Sequence, residues 1–359
     1  MVKQTLILRL ETTKEQHEEL LNTMTAFNNA CNHVAEVAFE RKLANKVAIQ
    51  PIVYFEIRKQ FHLSAQMAVR AIAKTIEAYK RDKTIQPRFR LDGSMVYDQR
   101  ILSWKKLDRV SILTIKGRTI IPIRIGEYQK ARLDRIRGQA DLILRKGMFY
   151  LCVIVDAPEP SKYDPIGTIG IDLGVINIAV DSDNEIHSSK QIEFVRKRTA
   201  TIRSTLQSCG TKSAKRHLKK VSGKESRFRR NTNHIISKRL VAKAKDTTRR
   251  ISLENLEGIR KKTVVRKAQR SRHSSWSFSQ LRSFIEYKSA LKGVSVVFVD
   301  PRNTSRTCPS CLYVSKKNRR TQAEFKCCVC GFAGHADSIA AKNIAARADV
   351  NQPIVASVV

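Results

Sequence analysis

After a first short strand, apolar residues recur with the period of a helix up to about residue 84 and with the period of a strand over residues 85–155. Residues 4–10 alternate as a strand does, and Thr13 and Gln16 have the spacing of a capping box, which predicts a helix start. Two further helices are predicted before residue 84, the last one beginning near Ser64. Their apolar stripes comprise Leu20, Met24, Phe27, Cys31, Val34 and Ala38, then Tyr54, Ile57 and Phe61, then Met67, Ala71, Ile72, Ile76 and Tyr79. Each stripe indicates only that one helix face is buried.

Between residues 85 and 155 the apolar period changes to two. Residues 110–115 and 119–125 flank Lys116-Gly117-Arg118, and a second pair of apolar runs flanks Lys146-Gly147, so two hairpins are predicted. With the first strand they would form a small antiparallel barrel or sandwich. Residues 157–160, Ala-Pro-Glu-Pro, predict a linker.

A second β-rich region begins at residues 167–181, GTIGIDLGVINIAVD. It predicts a hairpin in which Asp172 stands near the end of a short apolar strand. An isolated acid beside a glycine turn is ordinarily a solvated turn residue. Two more acids change that expectation, because Glu254 ends the apolar run 250–256 and Asp337 opens an Ala-rich helical pattern. Three carboxylates on separate elements are suited to hard divalent cations.

The segment between Asp172 and Glu254 is strongly basic. Over residues 195–250 Lys and Arg dominate, and a predicted helix there has the apolar face Ile235, Ile236, Leu240 and Ala244. Such a charge run is either a solvated face or the lining of a channel for phosphates, and we favour the channel. A second basic run at 261–272, interpreted as a loop, precedes a helix that begins near Trp276 and Phe278 and ends at Gly293. A buried strand is predicted at 294–299, with Asp300 as a turn residue.

Five of the eight cysteines crowd into one short segment. Cys308 and Cys311 form one C-x-x-C pair, Cys327 and Cys330 form another, and the spacing suits a tetrahedral, structural Zn²⁺ site. Cys328 is interpreted as a bystander that could substitute for Cys327. The alternative is a regulatory dithiol pair in a reducing compartment.

The charge balance points to a polyanionic partner. Lys and Arg number 68 against 32 acids, a net charge of +36 that runs through all segments, which favours nucleic acid over a membrane surface. No apolar run approaches the length of a signal peptide core or a bilayer span. We therefore expect an intracellular, cytoplasmic protein associated with the nucleoid.

The acidic motifs carry a family resemblance. GIDLGVINIAV around Asp172, ISLENLEGI around Glu254, and HADSIAAKNIA around Asp337 after the cysteine pairs resemble the RuvC-like, ribonuclease H-fold nuclease domain of TnpB proteins. These transposon-encoded proteins are relatives of the compact type V CRISPR effectors. Leu312 departs from the family pattern, in which a Gly follows the first cysteine pair.

The resemblance implies a multidomain α+β architecture. A β-barrel-like wedge domain would comprise residues 1–10 and 85–160, and an N-terminal helical recognition lobe residues 11–84. The RuvC-like α/β nuclease domain would comprise 166–304 and 334–348, with the zinc ribbon at 305–333 inserted and a tail at 349–359.

The resemblance also implies roles for individual residues. Asp172, Glu254 and Asp337 would bind two catalytic Mg²⁺ ions, roughly 3.5 to 4 Å apart, for phosphodiester hydrolysis. Arg319 would be a cation that approaches the nuclease site; a solvated ribbon loop is its alternative. The partners would be a guide RNA and target double-stranded DNA, bound by a monomeric protein in a ribonucleoprotein.

Three other functions stay open at this point. The first is an RNA-guided DNA-binding transcriptional regulator without cleavage, which loss of a carboxylate would mark. The second is a zinc-ribbon RNA-binding protein of ribosomal type, favoured only if Asp172 and Glu254 lie far apart. The third is a DNA transposase, which strand-transfer assays would separate from a nuclease.

Overall fold

The computed structural model describes residues 2–106, 108–256 and 278–350. The chain divides into two compact units, residues 1–158 and 159–359. The predicted basic run at 261–272 and Trp276 lie outside the described residues. Among the helices that are described, none has the length and apolar character needed to cross a membrane.

The first unit is built on one seven-stranded sheet in the order β2-β6-β7-β1-β5-β4-β3. Its paired strands run antiparallel, and both predicted hairpins are present, β4 with β5 and β6 with β7. The sheet is nearly closed and barrel-like, because the Tyr97 hydroxyl on edge strand β2 donates to the Leu113 carbonyl on β4 at 3.1 Å. The strands are β1 (Val2–Leu10), β2 (Met95–Tyr97), β3 (Leu102–Lys105), β4 (Arg109–Thr114), β5 (Gly117–Arg124), β6 (Ile136–Arg145) and β7 (Met148–Ala157).

The helices of the first unit begin where the sequence predicts. Thr13 caps the first helix in a complete capping box with Gln16, and Ser64 accepts from the Met67 amide at the start of the third. The predicted apolar face of the first helix, from Leu20 to Ala38, is fully buried. Helices and sheet share one hydrophobic core. The helices are α1 (Lys14–Glu40), α2 (Lys46–Gln60), α3 (Ala65–Arg81) and the short α4 (Glu127–Lys130), followed by a 3-10 turn (Leu133–Arg135).

The second unit contains a five-stranded sheet in the order β10-β9-β8-β11-β12. The predicted hairpin at residues 167–181 forms, since β8 and β9 pair antiparallel, whereas β8, β11 and β12 run parallel. The strand predicted to be buried at 294–299 is β12, which is mostly half-buried because it is an edge strand. The strands are β8 (Thr168–Asp172), β9 (Asn177–Asp181), β10 (Ile186–Ser188), β11 (Arg250–Glu254) and β12 (Val296–Val299).

Helices follow the strands of this unit. One part of the predicted helical face is wrong: Ile235 is 47% exposed, and Val241 is buried together with Ile236, Leu240 and Ala244. Ile235 is one residue out of register with the stripe at 236, 240 and 244, so it turns toward solvent. The helices are α5 (Lys190–Cys209), α6 (Lys212–Val221), α7 (Lys224–Asp246), α8 (Phe278–Ala290) and α9 (Ala336–Val350).

Helix α9 lies directly on the backbone of β8. A Cβ atom on Gly170 would stand 2.0 Å from the Ala341 carbonyl oxygen and 2.5 Å from the Ala345 amide nitrogen. No side chain fits at those distances, so Gly170 permits the contact. The small buried residues Ala340 and Ala341 complete the close approach of helix to strand.

Candidate active site and cysteine cluster

Two of the predicted acids end adjacent parallel strands. Asp172 is the last residue of β8 and Glu254 is the last residue of β11, and Leu253 pairs with Ile171 immediately before them. Because the strands are parallel and in this register, both carboxylates stand at the same edge of the sheet. The carboxyl ends of parallel strands are where open α/β sheets ordinarily bind ligands.

The third acid reaches this site from a helix. Asp337 is the second residue of α9 and is 6% exposed. Asn177 Nδ2 donates to Asp337 Oδ2 at 2.9 Å, and Arg319 Nη2 donates to Asp337 Oδ1 at 3.3 Å. The same Arg319 nitrogen donates to the Gln322 carbonyl at 3.0 Å, which holds the guanidinium beside the carboxylate.

The charges of Glu254 and Asp337 both act on Asp172. Burial, the largest cause, and the negative charges of Glu254 and Asp337 together raise the pKa of Asp172 to about 8, against the opposing charge of Arg319. Burial also raises the pKa of Glu254, against a hydrogen bond from Thr304 that lowers it. Like charges gathered in a partly buried site resist ionisation until a cation compensates them. The site is therefore suited to positive ligands.

Several polar neighbours of the acids carry no signal in the sequence. The Thr304 hydroxyl donates to Glu254 Oε1 at 2.5 Å, and Asn343 Nδ2 donates to the carbonyls of Thr304 and Thr307 at 2.7 Å each. Neither Thr304 nor Asn343 is part of a sequence spacing that is typical of a functional site, although Asn343 lies within the motif HADSIAAKNIA. Asp300 is the turn residue that was predicted, because its side chain accepts from the Arg302 amide at 2.8 Å.

The four predicted cysteine ligands meet in space. The sulfurs of Cys308, Cys311, Cys327 and Cys330 all lie within 4.8 Å of one another. Cys308 and Cys330 are 3.5 Å apart at Sγ, and Cys311 and Cys327 are 3.6 Å apart. A tetrahedral ion with metal–sulfur bonds of about 2.3 Å would separate its sulfurs by about 3.8 Å. The cluster can thus hold a metal ion.

The carboxylates are more widely spaced than the sulfurs. In the part of the chain that the structure describes, the cysteines are the only group of three or more potential ligands within that 4.8 Å limit.

The two C-x-x-C loops have the same backbone. The Leu312 amide donates to the Cys308 carbonyl at 3.0 Å as the Gly331 amide donates to the Cys327 carbonyl at 3.2 Å. Leu312 has a φ of +60° and Gly331 a φ of +75°. Leu312 therefore adopts the left-handed conformation that glycine favours, with its side chain 72% exposed.

Cys328 stands apart from the four-sulfur cluster. Its sulfur donates to Asn318 Oδ1 at 3.2 Å and its amide donates to the same oxygen at 3.1 Å. Asn318 is fully buried and donates to the Arg306 and Tyr313 carbonyls at 3.0 Å each. Asn318 thereby ties the two cysteine loops together.

The basic residues that precede Glu254 lie largely at the surface of α5 and α6. The exposed Lys and Arg side chains on these two helices are Lys190, Lys197, Arg198, Arg203, Lys212, Lys215, Arg216, Lys219 and Lys220. The exposed aromatic ring of Phe194 accompanies them on α5. The positive charges on this surface are dense enough to attract phosphate groups.

Two family models match the part of the chain that carries these sites. Residues 150–258 match the OrfB_IS605 model, described as a probable transposase, and residues 278–344 match the Cas12f1-like TNB domain. The first match contains Asp172 and Glu254, and the second contains the cysteine cluster and Asp337.

Named relatives agree with these models. The chain is 30% identical over 233 residues to the CRISPR-associated endodeoxyribonuclease Cas12f1 of Syntrophomonas palmitatica, covering 59% of this chain and 46% of the relative. It is 27% identical over 254 residues to a TnpB-like protein of Methanocaldococcus jannaschii, covering 66% of this chain and 90% of that protein. The chain spans about half the length of the Cas12f1 relative.

A solved structure shows the same fold. The mini-RNA-guided endonuclease CRISPR-Cas_phi3 superposes with a TM-score of 0.61 at 13% identity, covering 98% of this chain and 93% of that one. The two family models, the relatives and the shared motifs agree, and the chain is similar to TnpB-like proteins and to Cas12f effectors.

Proposed function

We propose that the protein is an RNA-guided DNA endonuclease encoded by a transposable element. The observation that carries the proposal is the convergence of Asp172, Glu254 and Asp337, from two parallel strand ends and one helix start, with Arg319 beside them. The five-stranded sheet would be the ribonuclease H-like sheet of a RuvC-like domain. The Cas12f1 relative is named an endodeoxyribonuclease, which supports the same activity.

The carboxylates fit Mg²⁺ as the catalytic cofactor. They are hard oxygen donors, and burial and mutual repulsion hold the pKa of Asp172 near 8, a cost that cations relieve. Bound Mg²⁺ would supply an activated water and stabilise the leaving oxygen, as two-metal phosphodiesterases do. Asp172, on which the charges of both other acids act, would hold the Mg²⁺ ions together with Glu254 and Asp337.

The remaining residues position the phosphate. Arg319 is held by the Gln322 carbonyl and Asp337, so its guanidinium would face a scissile phosphate bound at the acids. An arginine there would stabilise negative charge as it develops on the phosphate oxygens. Asn177 fixes the other oxygen of Asp337 and leaves that carboxylate one orientation.

We further propose that Zn²⁺ occupies the four-cysteine cluster and has a structural role. Four thiolates close a tetrahedral site and leave no position for water. The cysteine segment would be the zinc ribbon, and it leads directly into Asp337 through β14 (Ala333–His335), which pairs with β13 (Glu324–Lys326).

The basic surface of α5 and α6 would bind nucleic acid backbone. In the first unit, the barrel-like sheet would be the wedge domain, which would grip the guide RNA and help to read a short DNA motif beside the target. Helices α1–α3 would be the recognition lobe. Base pairing would supply the remaining sequence specificity.

Two measurements on the purified ribonucleoprotein test the proposal. Sequencing the RNA that co-purifies should recover one defined species, and that species should direct cleavage of matching double-stranded DNA in the presence of Mg²⁺. Guide-dependent DNA binding without cleavage would instead identify a transcriptional regulator. The OrfB_IS605 model is described as a probable transposase, and joining of DNA ends to a new target would identify that activity.

A further inference from the structure

Thr304 stands next to Glu254 and is almost fully buried, with 3% of its surface exposed. Its hydroxyl donates to Glu254 Oε1 at 2.5 Å and also lies 3.1 Å from the Pro301 carbonyl. A hydroxyl that donates to a carboxylate forms a short, charge-assisted hydrogen bond. This bond fixes one oxygen of Glu254 and leaves the other oxygen for a cation.

Thr304 is in turn held by the helix that carries Asp337. Asn343 on α9 is 5% exposed, and its amide nitrogen donates to the carbonyls of Thr304 and Thr307 at 2.7 Å each. Two hydrogen bonds from one buried amide clamp the backbone of residues 304–307 onto α9. Cys308, the first cysteine of the cluster, is the next residue along the chain.

The clamp links the two sites through covalently continuous segments. Residues 304–307 enter the cysteine loops and touch Glu254, whereas residues 335–337 leave the loops and carry Asp337. Asn343 joins residues 304–307 to α9, the helix that carries Asp337. The position of Glu254 relative to Asp337 is therefore set by Thr304 and Asn343 as well as by the sheet.

We infer that Thr304, clamped by Asn343, is a positioning residue that orients Glu254 for catalytic metal binding. The inference rests on the proposed nuclease function and adds a residue to it. Partners that orient metal-ligating side chains typically contribute about 10-fold to 100-fold in metal affinity or activity. Thr304 should contribute within that range.

The test compares Thr304→Val with Thr304→Ser in the complete ribonucleoprotein. Valine keeps the shape of threonine and removes the donor, whereas serine keeps the donor. Mn²⁺ serves as the probe, because its binding can be followed by electron paramagnetic resonance without turnover. Thr304→Val should weaken Mn²⁺ binding about 10-fold or more, and Thr304→Ser should restore it.

Thr307→Val is the matched control. Thr307 lies in the same segment, and its hydroxyl donates to the Asn303 carbonyl at 2.8 Å instead of to a carboxylate. The Thr307→Val variant should bind Mn²⁺ as the wild type does. Cleavage by Thr304→Val should recover toward the wild-type rate at high metal concentration, which separates lost metal affinity from lost folding.

The outcomes distinguish the inference from the function on which it rests. Wild-type protein that neither binds Mn²⁺ at these acids nor cleaves DNA would overturn the proposed function. Wild-type cleavage together with unchanged Mn²⁺ affinity in Thr304→Val would overturn the inference alone, as would equal losses in Thr304→Val and Thr307→Val.

Discussion

The cysteine cluster and the carboxylate cluster differ in how far apart their side chains lie, both along the chain and in space. The cysteines come from one short segment, residues 308–330, and their sulfurs already lie at the separation of ligands around one ion. The carboxylates come from positions 172, 254 and 337 and are farther apart. Each of two acids is held by neighbouring donors, Glu254 by Thr304 and Asp337 by Asn177 and Arg319. Four closely spaced thiolates are suited to permanent occupancy by a metal ion, whereas under the proposed function the more widely spaced carboxylates would exchange cations and substrate.

The largest expected effect comes from removing one charge from the carboxylate cluster. Asp172→Asn keeps the shape of the side chain and removes the acid on which the other two act. Guide-dependent cleavage should fall by on the order of a thousandfold or more, while DNA binding in a gel shift persists. Combining Asp172→Asn with Glu254→Gln should cost little more, because residues that act as a unit are non-additive.

Asp300→Asn is the control for that loss. Asp300 lies close enough for its charge to raise the pKa of Glu254, yet its side chain only accepts from the Arg302 amide, a bond that asparagine preserves. It should cleave at close to the wild-type rate. Full cleavage by Asp172→Asn, or loss of binding in step with cleavage, would contradict the catalytic assignment.

The second prediction concerns the cysteine cluster. Cys330→Ser should lower zinc content and the free energy of unfolding together, by on the order of several kcal/mol, because metal binding energy is folding energy in so small a ribbon. Cys328→Ser, two residues before Cys330 in the same segment, should keep its zinc because the Cys328 sulfur bonds to Asn318 outside the cluster. Metal analysis and chemical denaturation of both variants provide the measurement. Equal zinc in Cys330→Ser and wild type would refute the four-ligand site.

Sequence reasoning succeeded where a site is local. The C-x-x-C spacing identified all four sulfurs of the cluster. For the acids, strand patterning placed Asp172 and Glu254 near strand ends. Their shared edge depends on the parallel pairing of β8 with β11, which are separated by the helices α5–α7. The sequence did not predict that pairing, and only the family resemblance assigned the three acids to one site.

The side chains that support the acids could not be predicted from the sequence. Thr304 and Asn343 are ordinary polar residues in a loop and a helix, and their roles depend on contacts made across 39 and 50 residues of chain. Ile235 shows the same limit on a smaller scale, because a periodic stripe does not say which of two adjacent apolar residues turns inward.

The third prediction uses pH to sharpen the contrast. An unfolded aspartate ionises near pH 4, whereas folded Asp172 has a pKa of about 8. Over that interval the folded state keeps a proton that the unfolded state has lost, so this group makes folding less favourable as the pH rises from about 4 to about 8.

Asp172→Asn removes that dependence. Without added Mg²⁺ and with zinc in place, the variant should match the wild type near pH 4 and exceed its free energy of unfolding by about 1 kcal/mol or more near pH 8. Denaturant unfolding at several pH values gives the difference. A variant that is less stable than the wild type at pH 8 would show that Asp172 is not held under repulsion.

The smallest expected effect tests the one strained position in the cysteine cluster. Leu312 adopts a φ of +60° with its side chain 72% exposed, so Leu312→Gly should stabilise the protein by roughly 0.5 to 1 kcal/mol. Gly331→Ala, at the equivalent place in the other loop with a φ of +75°, should destabilise it by a similar amount. Thermal unfolding of the two variants should shift in opposite directions, and shifts of the same sign would refute the equivalence of the loops.

The contact of α9 with Gly170 offers a way to build an inactive protein with every catalytic side chain intact. A methyl group at residue 170 would collide with the Ala341 carbonyl and the Ala345 amide, both of them main-chain atoms. Main chain cannot rotate away, so the helix as a whole would have to lift and take Asp337 with it. Gly170→Ala would act as a spacer under the helix and would change the distance from Asp337 to the other two acids.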